Sequence, residues 1–202
     1  MHYDARVKLY VMRHGPAEDD SPTGRDGDRA LTPDGRERTR AVARTLLAQN
    51  EAPFTIVSSP LVRALQTAEI VAAVTDVEKR VREAKPAGGA PGAVEIRREM
   101  APGGDPFGLV LELLRNGRKR VMVVGHEPDL STLVSRLAGR YPEQGMLKSM
   151  VVGLKVDAAT KETPPSRPAR PESGTSSRRG DEDFVCSFRF ILDPKTLAWQ
   201  RD

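Results

Sequence analysis

The chain has 202 residues, of which 38% are hydrophobic, with 17 glycines and a formal charge of +4, a length for one domain and a composition for a globular chain, not a disordered one. Its single cysteine, Cys186, excludes an internal disulfide and a cysteine-rich metal site, and the absence of any run of about 18 apolar residues excludes a membrane-spanning helix. Although the pI is near 9.4, the five basic residues between Lys161 and Gly180 are offset by two acidic ones and by Asp181, Glu182 and Asp183, and the few aromatics are not interleaved with arginines, which argues against a nucleic-acid partner.

Taken in chain order, the segment before Lys8 carries His2, Asp4 and Arg6 where a secretory signal would place its apolar stretch, so a cytoplasmic location is expected, with no membrane partner. Val7 to Met12, Phe54 to Ser58 and Val121 to Gly125 are short, β-branched, almost continuously apolar runs and read as central parallel strands. Thr32 and Pro33 are a cap and first helical residue, and Val42, Ala43, Leu46 and Leu47 form the inward stripe of a helix ending near Asn50. Pro60 opens a second helix with Leu61, Ala64, Leu65, Ala68 and Ala72 on one face. Phe107, Val110, Leu111 and Leu114 mark a third, and Asp129 to Leu137 a fourth. Met150 to Val156 and Phe184 to Leu192 read as two further, paired strands, the second with Phe184, Cys186, Phe188, Phe190 and Leu192 on one face, which makes Cys186 a core thiol. Trp199 is expected to cover a sheet edge.

Between those last strands, residues 157–183 are rich in Pro, Ser, Arg and Glu without apolar periodicity and read as a disordered loop insertion. A smaller Gly/Pro-rich connection spans Lys85 to Ala93. The expected fold is a single α/β domain over residues 1–202, a three-layer sandwich with a mostly parallel central sheet flanked by helices.

Three segments place basic or imidazole groups directly after a strand, where open α/β sheets gather their ligand loops. In Arg13-His14-Gly15 the histidine is tethered and aimed, and Gly15 lets backbone N–H groups approach an anion. A neutral imidazole can attack phosphorus while Arg13 holds oxygens; a half-buried histidine satisfied by a carbonyl is the structural alternative. In Ser58-Ser59-Pro60-Leu61-Val62-Arg63, the arginine falls in the first turn of a helix, where the dipole favours an anion, unless it is simply solvated. Gly125-His126-Glu127-Pro128-Asp129 repeats the strand, glycine, histidine, helix pattern. Two strand-end histidines with nearby arginines suit a phosphoryl group. Metal ligation is the competing use of two histidines, with Glu127 and Asp129 as further donors, but positive neighbours oppose a divalent cation, so no metal or other cofactor is expected.

These segments, with Leu31-Thr32-Pro33-Asp34-Gly35 and the run through Gln66 and Thr67 to Ala68, resemble in order and spacing the histidine phosphatase superfamily and, within it, the SixA-like phosphohistidine phosphatase branch, over about Lys8 to Val156. The resemblance implies a phosphoglycerate mutase-like fold and a metal-independent phosphatase in which His14 is transiently phosphorylated. It implies that Arg13, Arg63 and His126 bind phosphoryl oxygens, with Gly15 beside them. Arg29 falls where that branch carries another pocket arginine, and Glu99 resembles the leaving-group acid of the wider superfamily, with a surface glutamate as the alternative. Such an enzyme would act on phosphohistidine in a protein; a small-molecule phosphomonoesterase or mutase of the same superfamily, or a non-catalytic phosphate-binding module, are the competing readings.

Overall fold

The computed structural model describes residues 6–84, 94–139, 145–158 and 184–201. Their elements are β1 (Arg6–Arg13), α1 (Pro33–Ala48), β2 (Thr55–Ser58), α2 (Val62–Thr75), α3 (Val77–Ala84), β3 (Val94–Ile96), α4 (Pro106–Arg115), β4 (Arg120–Gly125), α5 (Asp129–Ala138), β5 (Val151–Ala158), β6 (Phe184–Leu192) and β7 (Trp199–Arg201), with short 3-10 turns at Asp26–Asp28 and Arg98–Met100. The sheet runs β3-β2-β4-β1-β5-β6-β7. β3, β2, β4 and β1 pair in parallel, while β5, β6 and β7 join antiparallel to their neighbours.

Alternation along β1 divides the interior in two. Val7, Leu9 and Val11 face a layer built from α4 and α5, with Leu109, Val110, Leu113, Leu130, Leu133 and Val134 buried against them. Tyr10 and Met12 face the opposite layer of α1, α2 and α3, with Val42, Leu46, Ala64, Ala68, Val71 and Val77. The central strands are therefore covered on both faces, which is why their sequence is continuously apolar. The result is the expected three-layer α/β sandwich.

Helix starts follow local chemistry. The Thr32 hydroxyl accepts from Gly35 N at the head of α1, with Pro33 in the first turn, and the Asp105 carboxylate accepts from Gly108 N at the head of α4. α2 begins at Val62 and not at Pro60, because Leu61 is the capping residue and its N–H is taken by the Ser59 hydroxyl. Arg63 still falls in the first turn. At Asp76 the backbone turns left-handed (φ 47°), which separates α2 from α3.

Two expectations for the last strands are corrected. β5 continues through Asp157 to Ala158, which pairs with Phe184, so the expected insertion at 157–183 starts too early; its remainder, like residues 85–93, lies outside the described residues. The single-face alternation along β6 also fails. Gly153 pairs with Phe190 and Leu154 with Phe188, so Arg189 is the extra residue of a bulge and the side chains change phase across it. Cys186 and Phe188 pack on the α4/α5 core, whereas Phe190 and Leu192 enter the α1/α2 core. Gly153 makes this possible, since any Cβ there would fall inside the Phe190 ring. Trp199 on edge strand β7 stacks on that ring, with centroids 3.9 Å apart.

Candidate active site

The parallel register of β1 and β4 aligns Arg13 with Gly125, so the next residue of each strand, His14 and His126, leaves the sheet side by side. His14 N donates to Gly125 O (3.1 Å), and Ser59, just past β2, donates its N–H to Val124 O (3.0 Å). The three segments singled out by sequence thus converge at the carboxyl ends of β1, β4 and β2. The two imidazole centroids lie 5.0 Å apart with planes tilted 51°, and His14 and His126 are 6% and 4% exposed. Gly15 is demanded by packing: a Cβ would sit 2.7 Å from Thr39 Oγ1 and 3.1 Å from Ser149 Oγ. Its N–H donates to Thr67 Oγ1 (3.0 Å), and Thr67 donates to Arg63 O (2.7 Å), which ties the loop after β1 to the first turn of α2.

His14 Nδ1 lies 2.7 Å from the carbonyl oxygen of its neighbour Gly15. A carbonyl can only accept, so Nδ1 carries the proton and Nε2 of the neutral ring keeps a lone pair. Burial pushes the His14 pKa down to about 3; the Gly15 carbonyl opposes this, while His126, Arg63 and Arg13 reinforce it. Burial, with Arg63 next, likewise pushes His126 down to about 4, and its Nε2 is hydrogen-bonded to the Ser59 hydroxyl at 2.8 Å. Both rings are neutral at pH 7 in the free site. Fixed positive charge comes from the arginines.

Arg63 is 5% exposed; its Nη1 donates to Asp26 O (2.8 Å) and its Nη2 to Asp26 Oδ2 (3.0 Å). Arg29 donates through Nη1 to Glu18 O (3.1 Å) and pairs through Nη2 with Asp26 Oδ1 (2.7 Å). Arg13 donates through Nη1 to Met146 O (2.7 Å). The Nε–H of each of these three arginines is buried and has no acceptor among the described residues. The Arg13 contact is braced from outside: Glu127 Oε1 accepts from Met146 N and from the Ser131 hydroxyl, both at 2.8 Å. Ser149, buried with φ 69°, donates its N–H toward Arg13 O and His14 O and closes the same corner.

Glu99 stands in a different network. Arg97 donates to Glu99, Glu95 and Glu112, and this hydrogen bonding from Arg97 holds the Glu99 carboxyl below its ordinary range. Among the described residues no group of three or more His, Cys, Asp or Glu side chains is arranged to hold a metal ion, and no helix is long and apolar enough to cross a membrane. Sequence reasoning missed Asp26, Ser59 as partner of His126, Thr67 and the Glu127 brace. Only Ser59 and Thr67 carried a signal, as small hydroxyl residues flanking an arginine in the first turn of a helix.

The carboxyl ends of the parallel strands of this α/β sandwich thus bring together two imidazoles, the buried Arg63 guanidinium and the half-buried Arg13 and Arg29. A family profile described as histidine phosphatase superfamily (branch 1) matches residues 9–85. The chain is 32% identical over 155 residues to phosphohistidine phosphatase SixA of Escherichia coli (strain K12), covering 75% of this chain and 86% of that protein, and 33% identical over 161 residues to an uncharacterized protein of Picosynechococcus sp., covering 76% and 87%. The chain belongs to the histidine phosphatase superfamily, and its enzyme class is that of a phosphatase. The structure of protein histidine phosphatase SixA complexed with tungstate superposes with a TM-score of 0.68 at 23% identity over 95% of this chain and all of that one. A mycobacterial glucosyl-3-phosphoglycerate phosphatase shares the fold with a TM-score of 0.52 at 20% identity, over 74% of this chain and 90% of that one.

Proposed function

We propose that the chain, as one histidine-phosphatase domain over residues 1–202, hydrolyses phosphohistidine on a protein through a phosphorylated His14. The observation that carries this reading is the Nδ1 contact of His14 with the Gly15 carbonyl, which leaves Nε2 as an unprotonated nucleophile beside His126. In the first displacement Nε2 bonds to phosphorus as the bond to the substrate imidazole breaks; the substrate ring, protonated from solvent on its other nitrogen, leaves as a neutral imidazole, and phosphorylated His14 keeps its Nδ1 proton. In the second, water attacks the phosphohistidine, its proton passes to a base or solvent, and His14 returns neutral. Arg13, Arg63 and Arg29 hold the phosphoryl oxygens, and His126, neutral in the free site, gains a proton more readily once a dianion lies beside it.

The ionised state of Glu99 bears on substrate class. An alkyl phosphate needs an acid to protonate its leaving oxygen, and a carboxylate held down by Arg97 is a poor one, whereas an imidazole leaves with little help. This favours a phosphoramidate over a phosphomonoester, and it accords with the activity named for the Escherichia coli relative. The test is twofold. Incubation with a phosphorylated donor is expected to give an acid-labile, alkali-stable adduct that is absent from His14→Ala, and a panel of phosphohistidine protein, nitrophenyl phosphate and phosphoglycerates is expected to rank the first highest. An adduct that persists in the variant overturns the mechanism; preference for a phosphoglycerate overturns the substrate.

A further inference from the structure

The 3-10 turn at Asp26–Asp28 lies in a loop whose composition carries no readable chemistry, yet one of its residues touches two of the pocket arginines. Asp26 gives Oδ2 and its backbone carbonyl to Arg63, and Oδ1 to Arg29. The carboxylate is 65% exposed while the Arg63 side chain is 6% exposed, so an outer, solvent-facing residue grips an inner one. The turn itself is pinned by Arg29 N on Asp26 O and by the Thr23 hydroxyl on the Asp28 carboxylate.

The grip has a direction. A guanidinium presents two donor edges: an end formed by both terminal nitrogens, and a side formed by Nε–H with Nη2–H. In Arg63 both terminal nitrogens are engaged by Asp26; in Arg29 they are engaged by Glu18 O and Asp26. In both, the side edge is left with a buried Nε–H that has no acceptor among the described residues. Buried donors without acceptors are costly, and a phosphoryl group is an acceptor that takes a whole edge at once. Resting on the phosphatase reading above, we infer that Asp26 is a positioning residue of the phosphate pocket: by engaging both terminal nitrogens of Arg63, and Nη2 of Arg29 alongside the Glu18 carbonyl on Nη1, it fixes both guanidinium planes so that their Nε edges serve the phosphoryl oxygens.

Positioning and simple charge balance predict opposite signs. Removing a carboxylate beside two arginines raises the local positive potential, so if Asp26 only tempers charge, its loss tightens anion binding. If it orients the planes, its loss weakens binding. Calorimetric titration with tungstate separates the two in Asp26→Asn, which keeps the shape and the backbone carbonyl, and in Asp26→Ala. We expect tungstate affinity to fall about tenfold in Asp26→Asn and further in Asp26→Ala, with KM for nitrophenyl phosphate rising in step and kcat changing less. In Arg63→Ala, adding Asp26→Ala is expected to cost less than half its effect in the wild-type background, because Asp26 acts largely through that side chain. Thermal melting within a few degrees of wild type shows that the exposed substitution has not unfolded the chain. Unchanged or tighter tungstate binding in Asp26→Asn, or full additivity with Arg63→Ala, overturns the assignment. Tungstate binding does not require turnover, so a wild-type chain that binds tungstate with the expected Asp26 dependence but forms no adduct at His14 sinks the catalytic reading alone; a wild-type chain that binds none sinks both.

Discussion

The two ends of the central strands gather the same residue types to opposite purposes. At the amino end, Glu51 takes five hydrogen bonds, from Lys8 Nζ, Tyr10 OH and Arg189, and although burial opposes ionisation, Arg189, Tyr10 and Lys8 hold its carboxyl down at about 2. Arg80 and Arg120 stand nearby over the Phe54 ring with their tips on the carbonyls of Pro53, Ala52 and Asn50. At the carboxyl end, arginines surround two neutral imidazoles, and the carboxylate that touches Arg63 and Arg29 sits at the rim. The first cluster is centred on an anion from its own chain. The second is centred on neutral bases, with the buried Nε–H groups of Arg13, Arg29 and Arg63 given no acceptor among the described residues, which is the contrast on which the proposed phosphoryl site rests.

Substitutions that respect or cross this division test it. The largest effect is expected from His14→Ala, a loss of at least about a thousandfold in kcat with the fold intact, read by steady-state kinetics and circular dichroism. Arg63→Ala is expected to lower kcat/KM by about 10²–10³, whereas Arg80→Ala at the other end should leave it within about twofold. Glu51→Gln reverses the pattern: chemical denaturation should show a loss of about 1–3 kcal/mol, the smaller values reflecting the partial exposure of Lys8 and Arg189, with kcat/KM unchanged within about twofold.

The pH dependence of stability separates the ends again. Both pocket histidines have folded pKa values below the ordinary value near 6.5, so below that pH the unfolded chain takes up protons that the folded chain refuses, and stability falls as pH falls. Between pH 6.5 and 5 the slope approaches about 1.4 kcal/mol per pH unit for each histidine. Glu51 contributes only lower, where an unfolded carboxyl near 4.5 begins to protonate before the folded one at about 2. Denaturant midpoints measured at pH 7, 6 and 5 are expected to follow the histidines, and His126→Asn should flatten the line; an unchanged slope would place the uptake elsewhere. Glu99→Gln, at the margin of the site, should change turnover of a phosphoramidate by less than about twofold.

Much of this division was legible in the sequence. Buried strands announce themselves by unbroken β-branched runs, and a histidine directly after such a run is aimed by the sheet, so the meeting of His14 and His126 could be expected from local order, whereas a shared role for Arg13 and Arg63 with them rested on the resemblance, a solvated Arg63 being the local alternative. What escaped depends on distance in space without periodicity in sequence. Asp26 is an exposed aspartate in a three-residue turn, and only the folded position of Arg63, 37 residues away, gives it meaning. β3 and β7, three residues each, are too short to show alternation, and α3 is set off from α2 only by the left-handed Asp76. The bulge at Arg189 was hidden because alternation was read through it; its cause, the space at Gly153, lies on the partner strand.

The pairing of Ala158 with Phe184 fixes the level at which the chain leaves the sheet and returns to it. The polypeptide departs from β5 and rejoins β6 at the level of Arg6, which pairs with Asp157, whereas His14 emerges past the far end of β1. Eight residues of strand, roughly 25 Å at about 3.3 Å each, separate that junction from His14. A change of chain length introduced at that junction is therefore expected to leave the spacing of the imidazoles and guanidinium groups, which is set by the opposite end of β1 and β4, unaltered.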